Sequence, residues 1–213
     1  MTAPARLSVH ASGPMACFTR PEFGVERVSY PVITPPAAVG LLSAVFWKPQ
    51  FRWVVDEIWV CKPIRWHGFT INEVKSVASS RRPHIVVTDD RTQRHSLCLA
   101  DVGYVVHAHI ELRPEAGAPI AKWQDQFRRR IERGAHFAQP YLGLQQFHAD
   151  VRPYDPAIDK PDLAITLPVG NMPLDLRYTT APNGKLDGGI DPEWFPALIT
   201  AGVMTVPAPG RSG

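Results

Sequence analysis

Hydrophobic and polar positions first alternate in RLSVHAS, residues 6–12, where a period of two predicts a half-buried strand. After Thr34 the period changes. Ala38, Val39, Leu42, Val45 and Phe46 recur at helical spacing behind a threonine and two prolines, residue types that cap a helix and fill its first turn. Lys48 precedes Pro49, whose ring disfavours helical backbone one residue earlier, so a largely buried helix is predicted over 35–47. FRWVVDEIWV, residues 51–60, is rich in aromatic and β-branched residues and predicts a strand. The clearest strand is VGYVVHAHIEL, 102–112, with Val102, Tyr104, Val106, Ala108, Ile110 and Leu112 on one face. A second helix follows, with Ile120, Trp123, Phe127 and Ile131 forming its apolar stripe and Gly134 just past its end. Another strand is predicted within LGLQQFHADVRP, 142–153.

This order predicts an α+β fold, a ferredoxin-like (RRM-like) βαββαβ domain over 1–154. Residues 62–100 turn polar and basic and interrupt the pattern between the second and third strands; they predict an insertion, about 66–98, with a hairpin of its own. Residues 155–213 are heavy in proline and glycine with short apolar runs, LAITL and WFPALITAGVMTV, and predict a smaller β-rich C-terminal subdomain or tail. Such a fold hosts many functions. Its open sheet face is a common RNA platform, as in RRM domains, although the strand at 102–112 carries no RNP1-like string.

The chain of 213 residues can bury a substantial core, holds no apolar run of membrane-spanning length, and begins without the charged and apolar regions of a secretion signal. A cytoplasmic protein is therefore expected, with no membrane partner. Cys17, Cys61 and Cys98 form no CxxC pair and read as reduced core thiols. The net charge of +3 does not by itself call for a polyanion. The arginines are clustered, however: Lys122, Arg128, Arg129, Arg130 and Arg133 fall within 122–134, and Arg81, Arg82, Arg91 and Arg94 within 80–95. A guanidinium fork matches phosphate oxygens, and the same residues also suit a solvated helix face and a charged loop. His107 and His109 point the same way along one strand, a spacing that can ligate a metal. Glu111 shares that face, but no Asp or Cys at convincing spacing completes a site, so a metal-dependent hydrolase is the alternative reading.

The stretch AVFWKPQFRW, 44–53, interleaves aromatics with cations, as surfaces that stack and neutralise nucleic acid do. It lies inside a longer run, FTRPEFGVERVSYPVITPPAAVGLLSAVFWKPQFRWVVDEIWVCKPIR, 18–65, which resembles the N-terminal part of the Cas5 subunit of type I-C CRISPR systems, the Cas5d family. The resemblance resumes at IAKWQDQFRRRIERGAHFAQPYLGLQQF, 120–147, whose ending resembles the family's L-G-x-R-E-F, and it covers most of residues 18–152. It implies a ferredoxin-like RNA-binding protein that grips the 5′ handle of CRISPR RNA (crRNA) inside a type I effector complex (Cascade). Its partners would be Cas7-like backbone subunits and a Cas8-like large subunit, with target DNA met through the complex and no cofactor. RNA contacts are then expected from Arg27, Tyr30, Trp47, Lys48, Arg128, Arg129, Arg130 and Arg133.

The resemblance also implies an endoribonuclease that cuts precursor CRISPR RNA without a metal, using a Tyr or His at the position of Phe46 and an adjacent Lys-His pair where this chain has Lys122 and Trp123. A general base would take the ribose 2′-hydroxyl proton while the lysine stabilises charge on the phosphate. Phenylalanine has no titratable proton, and an indole N–H donates but cannot act as a base. Only Lys122 of the three expected catalytic groups is retained. Tyr30, His136, Tyr141 and His148 lie in the right parts of the chain to be considered as replacements.

Overall fold

In the computed structural model, which describes residues 5–23, 26–74, 76, 86, 88, 90–114, 117–180 and 186–210, the first helix, α1, spans Pro35–Val45. Thr34 caps it: its backbone is extended and its hydroxyl accepts the Ala37 N–H at 3.3 Å. The helix stops two residues before the predicted limit, because Phe46 turns extended at φ −153° and sends its ring into the core. The second helix, α2, covers Ile120–Glu132 and buries Trp123, Phe127 and Ile131, while Ile120 is only half-buried. Its end is a Schellman turn: Gly134, at φ +62°, donates to the Ile131 carbonyl and Ala135 donates to that of Arg130.

The strands in chain order are β1 (Leu7–Ala16), β2 (Arg27–Val28), β3 (Phe51–Val60), β4 (Arg65–Val74), β5 (Arg91–Leu112), β6 (Asp150–Pro153), β7 (Leu167–Thr180), β8 (Leu186–Ile199) and β9 (Val203–Thr205). The main sheet runs β6-β1-β5-β3-β9 with every pair along this path antiparallel. Val102, Tyr104, Val106, Ala108 and Ile110 face the core, with Leu112 half-buried at the end of the row. The strand recognised at 102–112 is the second half of a 22-residue strand. Its first half pairs with β4, from Arg65 opposite Ala100 to Val74 opposite Arg91. Arg81 and Arg82 lie outside the described residues. β7 and β8 form a separate two-stranded hairpin, whose Met172, Leu174, Phe195 and Ala197 join the same hydrophobic cluster as α1.

The strand expected within 142–153 is β6, and the residues before it form a loop. Of 142–153 only Asp150–Pro153 is extended, because Gly143 takes φ +84° and the chain folds back, with Leu142 donating to the Phe147 carbonyl and Phe147 to that of Leu144.

The sheet face away from the helices is not an open platform. His10, Trp59, His107 and Arg152 occupy it, and the segment after β6 folds back over them. That segment is pinned by Asp159, whose buried carboxylate accepts two hydrogen bonds from the Arg152 guanidinium at 2.8 and 2.5 Å and one from the Asp155 N–H. Farther on, Asp162 donates to the Val60 carbonyl at 2.8 Å. All three cysteines are free, with Cys17 and Cys98 buried.

A Cβ added at Gly143 would run into the Cys17 carbonyl on backbone that L-residues avoid. Gly143→Ala is therefore expected to destabilise the protein by on the order of 3 kcal/mol, read as a lowered urea midpoint at constant slope.

Candidate functional site

A helix end leaves its last carbonyls without intrahelical partners, and α1 carries no basic residue in its own last turn. Three other segments supply the missing donors. The Ala44 carbonyl accepts the N–H groups of Phe137 and Ala138 at 2.8 and 3.0 Å, that of Val45 accepts Nη1 of Arg130 at 3.1 Å, and that of Phe46 accepts the indole N–H of Trp53 at 2.9 Å. The end of α1, the start of β3, α2 and the loop after α2 are thereby held at one place.

The Phe46 ring lies there among Phe51, at 5.5 Å between centroids, Trp123, at 6.4 Å, and the Arg130 guanidinium, 5.5 Å from its centroid. The structure thus brings Phe46, Lys122 and Trp123 into one neighbourhood across more than seventy residues of chain. Their exposures divide them. Phe46 and Trp123 are 2% and 6% exposed, whereas Lys122 is at the surface with its ammonium 5.0 Å from the Trp123 ring. The two aromatics are core residues here, and the lysine is the one group of the three that can meet a phosphate.

The other expected RNA residues also separate. Trp47, 53% exposed, and Lys48 stand on the turn after α1, and Arg128, Arg129 and Arg133 are exposed on α2 and at its end. Arg128 pairs with the Asp125 carboxylate at 3.1 Å and Arg129 donates to the Asp125 carbonyl. Arg27 is half-buried on β2. Two residues are better described as struts. Arg130 is turned inward onto Val45 and Phe46, and Tyr30 is fully buried with its hydroxyl donating to the Asn171 carbonyl at 3.1 Å. Arg20 covers the Tyr30 ring, and burial pushes the phenol's pKa up, so this side chain offers no surface to RNA. His136, Tyr141 and His148 are all exposed, and Tyr141 and His148 bridge across the Gly143 loop. Phe137, which the sequence did not single out, is 83% exposed, beside the basic end of α2. Nothing in its spacing marks it, since the backbone bond that holds it at Ala44 is a tertiary contact.

His107 and His109 do share a face with Glu111, but each has its own partner. His107 is buried against Trp59 and Tyr154 with Nδ1 2.7 Å from the Ser8 hydroxyl, His109 Nδ1 is 2.8 Å from Asp56, and Glu111 pairs with Arg52 at 2.7 Å. Among the described residues no group of three such side chains could hold a metal ion, so the residues of the hydrolase reading do not converge. Burial lowers the His107 pKa to about 4, the nearby Arg6 charge adding to the effect and Glu57 opposing it.

The whole chain is similar in fold to a solved structure described as a CRISPR-associated protein, with a TM-score of 0.66 over 95% of this chain and 91% of that one at 20% identity. A functionally uncharacterized protein from Streptococcus mutans gives 0.68 over 95% and 92% at 19% identity. In sequence, the family described as "CRISPR-associated protein (Cas_Cas5)" matches residues 7–207. A relative from Thermus thermophilus is 42% identical, with 96% of this chain and 92% of the relative covered, and one from Mannheimia succiniciproducens is 37% identical with 95% of each covered. Both are described as "CRISPR pre-crRNA endoribonuclease Cas5d". The chain belongs to the Cas5d family of CRISPR-associated proteins. No described helix is long and apolar enough to cross a membrane.

Two tests follow from this geometry. Arg130→Ala removes a charged donor from a buried carbonyl and should lower stability by roughly 1–3 kcal/mol, whereas Arg133→Ala at the exposed helix end should stay within about 0.5 kcal/mol of the parent; urea unfolding of the two variants separates them. His107 binds its proton less readily folded, near pH 4, than at its ordinary value of 6.5. It therefore contributes stability above pH 6.5 that is lost as pH falls toward 4, on the order of 3 kcal/mol in full. Urea midpoints should fall more steeply over that window in the parent than in His107→Gln. His10, whose pKa burial also lowers, keeps its share in both proteins.

Proposed function

We propose that this Cas5 protein binds the 5′ handle of CRISPR RNA within a type I-C-like effector complex, and that its own cleavage of the precursor by the family's route is weak or absent. One observation carries the proposal: Phe46 and Trp123 pack in one buried aromatic cluster, and Lys122 is the exposed cation beside them. Metal-independent RNA cleavage needs a proton acceptor within hydrogen-bond reach of the 2′-oxygen and a proton donor for the leaving oxygen. Neither aromatic can accept that proton, and neither is accessible. Lys122 can stabilise a phosphate and so serves binding without completing catalysis.

Binding in this reading uses Trp47, Lys48, Arg128, Arg129 and Arg133, with Phe137 added and Arg27 contributing from β2, a mixture of stacking faces and phosphate donors around the end of α1. The order β6-β1-β5-β3 with antiparallel neighbours supports a ferredoxin-like βαββαβ core. In that view β4 and the first half of β5 are the insertion, and the part from residue 155 is a β-rich C-terminal subdomain. The insertion exposes Trp66 and Leu97, which suits contact with a neighbouring Cas7-like subunit. A Cas8-like large subunit and target DNA complete the partners. The names of the two curated relatives support the CRISPR RNA as ligand.

The test is single-turnover cleavage of the organism's own repeat RNA in the presence of chelator. The unmodified protein is expected to bind the RNA and to cut it roughly 10²- to 10⁴-fold more slowly than the Phe46→Tyr, Trp123→His double variant, each variant first shown to be folded by its melting curve. Rapid cleavage by the unmodified chain would overturn the catalytic half of the proposal, and failure to bind the repeat would overturn the other.

A further inference from the structure

Strand β3 is paired along its whole length on one side, by β5, but on its outer side β9 reaches only Glu57, Ile58 and Trp59. One more bond, from the Val206 N–H to the Asp56 carbonyl, closes that pairing. The chain then runs through Pro207 and Pro209, which have no N–H to donate. Among the described residues no strand covers the edge from Phe51 to Val55. A cavity of about 290 Å³ opens along this edge, walled by Ser43 of α1, Asp175 of β7 and Pro209, with Trp47, Arg52 and Arg113 also lining it. Phe51 lines it too, so the cavity adjoins the aromatic cluster of Phe46 and Trp123.

The composition of these walls is specific in its chemistry. Trp47 offers a flat, half-exposed π face, and Lys48 follows it at the surface. Arg52 is held in place by its Nε bond to Glu111 at 2.7 Å, which leaves its two Nη groups as further donors, and Arg113 is exposed with its backbone fixed by the Gln50 carbonyl. Asp175 and Ser43 add a carboxylate and a hydroxyl, and a strand edge presents alternating N–H and C=O groups. A flat stacking partner, a short row of donors and acceptors, and cations at the rim are what an unpaired base with its flanking phosphates requires. The volume suits one small planar group better than a folded segment.

We propose that this cavity is a nucleobase pocket that takes one splayed-out base of the CRISPR RNA, stacked on Trp47, with Asp175, Ser43 and the β3 edge meeting its hydrogen-bonding groups and Lys48, Arg52 and Arg113 meeting the flanking phosphates. The inference rests on the handle-binding reading and deepens it by naming where a single nucleotide is held.

The experiment walks 2-aminopurine, a fluorescent base, through the handle portion of the organism's own repeat RNA and titrates each RNA with the full chain. One position is expected to change its fluorescence sharply on binding. That signal should be lost in Trp47→Leu, which should also weaken binding by roughly 5- to 150-fold, and it should return in Trp47→Phe. Arg113→Gln should weaken binding of the same RNA with a shallower salt dependence. If handle RNA binds with full affinity to Trp47→Leu, or if no position responds, the pocket is overturned while the handle-binding reading stands. If no repeat RNA binds at all, both fall. Unchanged RNA affinity in Trp47→Leu together with lost assembly onto the other complex subunits would also overturn the pocket, and would assign the β3 edge to a partner's strand.

Discussion

Three carbonyl oxygens at the end of α1 hold together the elements around them. A helix whose last turn lacks its own cation must find donors elsewhere or leave polar groups buried without partners, at a cost of about 1–3 kcal/mol each. Here the donors come from Trp53 on β3, Arg130 on α2, and the backbone of Phe137 and Ala138. Satisfying those oxygens makes β3, α2 and the following loop converge, so Phe46, Trp123 and Lys122 meet although they are far apart along the chain.

What meets there is a cluster of buried rings with one exposed cation beside it. Aromatic rings at Phe46, Phe51, Trp53, Trp123 and Phe127 stack in a continuous series with centroid spacings of 4.7 to 6.4 Å. Apolar burial favours such a cluster, and a group that must exchange protons with RNA would have to sit at its edge, hydrated and mobile. Here Phe46 and Trp123 lie inside the cluster and Lys122 lies outside it. The far face of the sheet is likewise closed, by a segment anchored through Asp159 on Arg152. At the end of α1, by contrast, Trp47, Lys48 and Phe137 project to the surface.

Much of the framework was legible in short-range pattern. Thr34 with Pro35 and Pro36 started a helix, the alternation from Val102 to Leu112 named the core face of a strand, and the stripe ending before Gly134 marked α2, because capping, pleat and helical period act over a few residues. The site was legible only as a set of positions carried by resemblance. Spacing put Phe46 with the buried stripe of α1 but could not say that Trp47, its neighbour, would project outward. Nor could it separate Arg130 from Arg133, or place Phe137 at the surface.

What the sequence by itself determined was therefore the element order, the core faces of α2 and β5, and membership of a family through long motifs. Only the tertiary structure decided that β5 continues for 22 residues, that the chain loops at Gly143 ahead of β6, that His107 and His109 are tied to Ser8 and Asp56, and that Tyr30 is a strut on Asn171. The physical reason is range. Propensity and period are set by neighbours three or four residues away, whereas the partners that commit these side chains lie about 50 to 140 residues distant, and nothing local encodes which of several equivalent arginines or aromatics will meet them.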